Sequence, residues 1–205
     1  MTNISDDAKV AMYIHTQDRR AVEVLENGIP ENPSSGQIMQ QGGTATGVSG
    51  SDQELAKMIV ANKKITADSR YMAQLQAYAN GDFSCKINSN ILKLIASLGE
   101  KHSLYISSLN RYCTGVITAS GSRSLHYANG GGSAVDFSSI DGTASSGVKS
   151  GDIAVYNEAL AILPNKKLQL GQINCRPGGA VRIPPGNSSI EVIDECHHVH
   201  IGVYP

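Results

Sequence analysis

Three short runs in this chain carry side chains that can hold a metal ion: Ser124-Leu125-His126-Tyr127, Gly132-Ser133-Ala134-Val135-Asp136 and, near the C-terminus, His197-His198-Val199-His200. One imidazole, one carboxylate and a second imidazole on short, strand-like segments can surround a single ion. Three protein ligands with one open position is how a catalytic zinc is held. A hydrolytic centre of this type also needs a base for the bound water and a cation for the oxyanion. Asp194, Glu195, His197 and His198 lie just upstream of His200. Side chains alternate along an extended strand, so His198 and His200 share a face while His197 points away. His200 and His198 can then line one cleft, one as ligand and the other as proton carrier or oxyanion partner. The opposing reading is an adventitious metal site, which a run of histidines can also form. His15 and His102 stand alone and read as surface or satisfied residues.

The elements that must position these groups follow from patterning. At 205 residues and 40% hydrophobic content, the chain has enough apolar material for one real core. Ser51-Asp52-Gln53-Glu54 has the form of a capping box, opening a helix with Leu55, Met58 and Ile59 on one face and closing at Asn62. The spacing predicts a second helix over 69–79, with Met72, Leu75 and Ala79 inward and a stop at Asn80-Gly81. A third is predicted over 88–99, with Ile91, Leu94, Ile95 and Leu98 inward and a stop at Gly99. Strand signals then take over: 103–109, with Leu104, Ile106 and Ser108 on one face, then 115–119, 134–137, 168–174 and 198–203. Between them 152–163 reads as a helix, with Ile153, Tyr156, Leu160 and Leu163 on one side and Pro164 ending it. Helices first, then strands with one late helix, argue an α+β fold with a small, mainly antiparallel sheet.

Residues 1–50 have a different character. A partial apolar stripe (Val10, Ile14, Ala21, Val22, Leu25) suggests one helix over 6–27, and 28–50 has the Gly, Ser, Thr, Gln and Pro content of a linker. The expected organisation is therefore an arm over 1–50, either a tail or a docking and delivery segment, and a compact domain over 51–205. The formal charge is −1 and Lys and Arg form no dense cluster, which argues against nucleic acid or an anionic membrane as partner. No apolar run approaches the ~18 residues of a membrane span, so no membrane insertion is expected. The N-terminus lacks the basic and apolar regions of a secretory signal peptide, so action outside a cytoplasm calls for another route or for a processed chain. Cys85, Cys113, Cys175 and Cys196 allow three pairings, or four free thiols. Gly130-Gly131-Gly132 is not followed by the Lys-Ser/Thr of a phosphate loop.

Ser124-x-His126 followed by Gly132-x-Ala134-x-Asp136 resembles the SxHxxGxAxD motif of the zinc D-Ala-D-Ala carboxypeptidase and endopeptidase family, peptidoglycan peptidases that share their fold with the sonic hedgehog signalling domain. His198-Val199-His200-Ile201 resembles that family's closing HxH strand, and Ile106-Ser107-Ser108-Leu109-Asn110-Arg111 its strand ending in SGYR. The resemblance covers residues 100–205. It implies zinc held by His126, Asp136 and His200, with Arg111 facing the substrate carboxylate or oxyanion. Ser124 and Tyr127 would stand beside the substrate. It further implies a base at Glu195, five residues before His200, assisted by His198, with His197 as the other candidate base. The chain departs from the motif by a three-residue insertion, Asn129-Gly130-Gly131, and by Cys196 inside the base-bearing loop. Beside the family's pattern, a Cys175–Cys196 bridge that holds Glu195 is the favoured pairing, with Cys85–Cys113 as the second. Cys196 as a soft zinc ligand is the alternative. The implied activity is hydrolysis of an amide in peptidoglycan stem peptides, in the periplasm or on the cell wall after non-classical delivery, with a phage tail or contractile injection system engaged through residues 1–50. The competing reading is a catalytically inactive zinc-containing wall-binding or structural cargo module.

Overall fold

The computed structural model describes residues 47–118, 120–176 and 181–205. The helix expected over 6–27 and most of the linker lie outside the described residues. Helix α1 (Asp52–Ala61) begins at the expected capping box: Ser51 Oγ accepts from the Glu54 N–H, and the Glu54 carboxylate accepts from the Ser51 N–H. Leu55, Ala56 and Ile59 turn inward, whereas Met58 remains 42% exposed. Strand β1 (Ile65–Ala67) leads to α2 (Ser69–Ala79), capped by Asp68, and Asn88 caps α3 (Ser89–Lys101). Helix α3 buries Ile91, Leu92, Leu94, Ile95 and Leu98, each contributing about 1.5–3 kcal/mol by leaving water. It runs through Gly99 instead of stopping there. That glycine is a point of close approach: a Cβ would overlap the Ile65 side chain.

Strand β2 (Leu104–Ser108) is followed by one helical turn, α4 (Arg111–Thr114), then β3 (Ala134–Ile140), β4 (Thr143–Ala144), α5 (Ser150–Ile162), β5 (Leu168–Leu170), β6 (Ile190–Glu191) and β7 (Val199–Val203). They form one mixed sheet in the order β1-β2-β3-β7-β5-β6, with β4 on β3. The inner pairs β2–β3, β3–β7 and β7–β5 are antiparallel; the outermost pairs, β1–β2 and β5–β6, are parallel. The class is α+β. Helix α1 packs on α2 and α3, α3 packs on α5, and α3 and α5 both touch β7. Val135, Phe137, Val199 and Ile201 enter the core on the helix side, so the alternating Asp136 and His200 project from the other face.

Two expected strands are shorter or absent. Residues 115–118 form no strand: both edges of β2 are already taken by β1 and β3, and Gly115 leaves α4 in a left-handed conformation at φ 69°. Ala119 lies outside the described residues. The strand over 168–174 ends at Leu170, because Gln172 adopts φ 61° and turns the chain into a short 3-10 helix, Ile173–Cys175. Both disulfides are present in the favoured pairing, Cys85–Cys113 and Cys175–Cys196, as suits an oxidising compartment. No helix among the described residues is long and apolar enough to cross a membrane.

Candidate metal centre

The sheet brings two of the three expected ligands face to face. Asp136 on β3 is directly opposite His200 on β7 and, on its other side, opposite Ser108 on β2. The second pairing depends on a β-bulge. Ile106 pairs with Phe137, so the next antiparallel partner of Asp136 would be Ser107, yet it is Ser108. The extra residue re-aims Ser108 away from the core face of Leu104 and Ile106 and toward the site. His126 arrives from a turn after the short 3-10 helix Gly121–Arg123, and its backbone carbonyl accepts from the Arg111 N–H at 2.9 Å. Asn110 fixes this crossing, donating to the Lys86 and Gly130 carbonyls at 2.6 and 2.8 Å and accepting from the Cys113 N–H. The glycine insertion packs here instead of lining the cleft. Gly131 has φ 78°, and a Cβ on it would strike Asn110 Oδ1 and the His126 carbonyl.

His126, Asp136 and His200 are buried, and their ligand atoms converge. His126 Nε2 and His200 Nδ1 lie 3.0 and 2.8 Å from the same oxygen, Asp136 Oδ1, and 3.3 Å from each other. The far atom of each ligand is held. His126 Nδ1 donates to the Leu109 carbonyl at 2.7 Å. His200 Nε2 donates to Gln169 Oε1 at 2.9 Å, and the Gln169 amide donates to Tyr204 Oη. Arg111 donates to Asp136 Oδ2 at 3.1 Å. With both imidazoles donating outward, their inner nitrogens present lone pairs to a carboxylate lone pair. Three acceptors crowded together, with outer partners fixing each tautomer, are the donor set of a cation site. These groups can hold a metal ion. Burial pushes the His126 pKa down, toward the neutral imidazole that offers a lone pair.

A second group stands at the lip. His198 Nε2 lies 3.3 Å from Asp194 Oδ2 and 3.7 Å from Asp136 Oδ1, and Asp194 Oδ2 is 4.0 Å from His200 Nδ1. Burial works against a charged His198, yet Asp194 and Asp136 raise its pKa; burial likewise opposes Asp194, and its bond to His198 lowers it. Glu195 sits further out, 76% exposed, 3.4 Å from His197 Nδ1. Asp194 is therefore the carboxylate beside the triad. In sequence it is the immediate neighbour of Glu195, and only the turn of the backbone separates their positions.

Arg111, expected to face substrate, lines the cleft, and each of its three guanidinium nitrogens also has a partner in the protein: Nε on Ser108 Oγ, one terminal nitrogen on Thr118 Oγ1 and the other on Asp136. It positions the carboxylate. Ser124 lines the cleft and its Oγ accepts from the His126 N–H. Tyr127 stacks edge-on against Tyr112 and does not line the cleft. Gln169 was not expected in the site; alternation along 168–170 marks it as facing opposite to Leu168 and Leu170, but nothing local marks its partners His200 and Tyr204. The cleft over these groups has a volume of about 1120 Å³ and is also lined by Arg70, Arg123, Ser138, Asn174 and Ile193. No protein family, no curated protein and no solved structure matches this chain.

Proposed function

We propose that this protein is a zinc-dependent peptidase that hydrolyses an amide bond in bacterial peptidoglycan stem peptides. The observation that carries the reading is the convergence of three lone pairs from His126, Asp136 and His200, each oriented by its own outer partner, at the floor of a large cleft. Two imidazoles and a carboxylate suit zinc, and zinc, when bound, supplies Lewis acidity and a water whose pKa falls to about 7. Asp194, beside the triad, is placed to accept a proton and pass it to the leaving amine; Glu195 is the alternative acceptor at the rim. His198, with its raised pKa, is placed as hydrogen-bond donor to a developing oxyanion. Arg111 keeps Asp136 in one orientation so that Oδ1 alone faces the other ligands. The peptidoglycan substrate rests on the resemblance of the SxH, AxD and HxH runs, which stand in the same order here. Residues 1–50 are proposed as the docking arm that a phage-tail or injection apparatus would engage.

The test is metal analysis of the purified protein together with chromatography of peptidoglycan before and after incubation. About one zinc per chain and new muropeptides are expected, and fragment masses identify the bond. Zinc without new fragments would replace the peptidase by a wall-binding or structural module. No bound metal would overturn the ligand assignment itself.

A further inference from the structure

Both disulfides lie outside the hydrophobic core, which contains no cysteine, and each has one exposed partner, Cys113 or Cys196. The Cys175–Cys196 bridge has a particular position. Segment 192–198 carries Asp194, Glu195 and His198 and contains neither helix nor strand. Its first half is pinned by hydrogen bonds: Ile173 N–H to the Val192 carbonyl at 3.1 Å, Val192 N–H to the Leu170 carbonyl at 2.8 Å, and Asp194 N–H to Asn174 Oδ1 at 3.0 Å. Residues 195–198 donate no backbone–backbone hydrogen bond among the described residues. The Glu195 N–H and His198 Nε2 reach Asp194 within the same segment, and the tie from this half to the preceding 3-10 helix, before β7 begins at Val199, is the covalent link from Cys196 to Cys175, the residue next to Asn174. The bridge therefore closes a small ring that includes Asp194: Asn174, Cys175, Cys196, Glu195 and Asp194 itself. The metal ligands do not depend on it, because Asp136 and His200 sit in paired strands and His126 is fixed by Leu109 and Arg111.

We propose that the Cys175–Cys196 bridge is a redox gate on the cleft. With the bridge formed, Asp194 and His198 are held against the triad; with the bridge reduced, the triad persists and the proton-handling pair is released into a mobile loop. Exposed Cys196 is the sulfur a reductant reaches. Two equivalents of a cellular monothiol supply two electrons and two protons, leave as their own disulfide, and turn the bridge into two thiols. The protein is thus idle in a thiol-rich compartment and active in an oxidising one. The effect on turnover rests on the peptidase reading; the release of the segment does not.

The deciding experiment is hydrogen exchange on the full chain in three states: oxidised, reduced by a water-soluble phosphine (which takes oxygen from water as the bridge gains two hydrogens), and as the Cys175→Ser/Cys196→Ser variant. Metal content and muropeptide release are read in parallel, with Cys85→Ser/Cys113→Ser as a comparison. Exchange at Asp194 and Glu195, whose N–H groups are hydrogen-bonded, is expected to rise at least about tenfold, with β3 and β7 still protected. Metal content should hold while muropeptide release falls roughly 10²-fold and returns on reoxidation. Unchanged exchange over 192–198 would overturn the proposal, as would loss of metal or of global protection on reduction, which would make the bridge a structural staple. If the oxidised protein releases no muropeptide, the peptidase reading fails, and the exchange data still decide the gate.

Discussion

The cleft is built from two regions that differ in how they are held. The candidate metal triad stands against the middle of the sheet, with Asp136 on β3 and His200 on β7, and each member has its outer atom occupied by Leu109, Gln169 or Arg111. Only about 3.7 Å away, the Asp194–His198 pair stands on an irregular segment secured by a few hydrogen bonds and one disulfide. The difference teaches how a site can divide its labour. A metal needs ligands fixed to tenths of an ångström, which paired strands and buried second partners supply. The groups proposed to move protons sit where the backbone is cheaper to displace.

The sharpest way to break this comparison is Asp136→Ala. It removes the oxygen that both histidines face, and bound metal should fall from about one per chain to background along with all muropeptide release. Retention of metal by this variant would show that the Asp194, His198 and His200 group binds it instead. Next in size is Asp194→Asn, expected to keep its metal and lose about 10²–10⁴-fold in turnover, with Glu195→Gln losing less. The reverse order of the two rates would return the proton-acceptor role to Glu195. Gln169→Ala should weaken metal binding roughly 10–100-fold by freeing the His200 tautomer, measured by competition with a chelating dye; an unchanged affinity would mean the outer partner is dispensable. Removing residues 1–43 should leave muropeptide release by the remaining domain unchanged, since the described residues that line the cleft begin at Arg70.

The smallest effect lies away from the cleft and serves as a control. Asp141 accepts from His102 Nδ1 at 2.8 Å and from the Ser103 N–H at 2.8 Å, and its pKa is lowered, first by the His102 hydrogen bond. A carboxylate whose folded pKa lies below its unfolded value of about 4 contributes stability that is complete above that value. The contribution is lost as pH falls through the folded pKa. Asp141→Asn should therefore lower Tm modestly at neutral pH, and the two melting curves should converge in acid without any change in metal content. A gap that persists in strong acid would show that the aspartate acts through packing and not through its charge.

Much of this was legible in the chain. The capping box at Ser51-Glu54, the apolar stripe of α3 and the stop at Asn80-Gly81 are local events, decided within a few residues of backbone, and they appear where the patterning placed them. That Asp136 and His200 turn to one face was readable for a similar reason, since side chains alternate along a strand. Strand ends were less legible. Whether 115–118 or 171–174 stay extended depends on a free neighbouring edge, and β2 had none while Gln172 turned away. Gly99 looked like a helix stop because glycine often is one; its actual reason, contact with Ile65, lies 34 residues away in sequence (99 minus 65).

The sequence by itself determined which side chains were available, in what order, and on what kind of element, because helix caps and strand alternation are properties of neighbouring residues. Only the tertiary structure decided what those side chains do. The bulge at Ser107 turned Ser108 toward Asp136, Arg111 closed on that carboxylate from the cleft wall, and the backbone turn after Val192 put Asp194 rather than Glu195 beside the triad. Each of these depends on which hydrogen-bond partner a distant strand or loop presents, and on which imidazole nitrogen is thereby left with its lone pair facing inward.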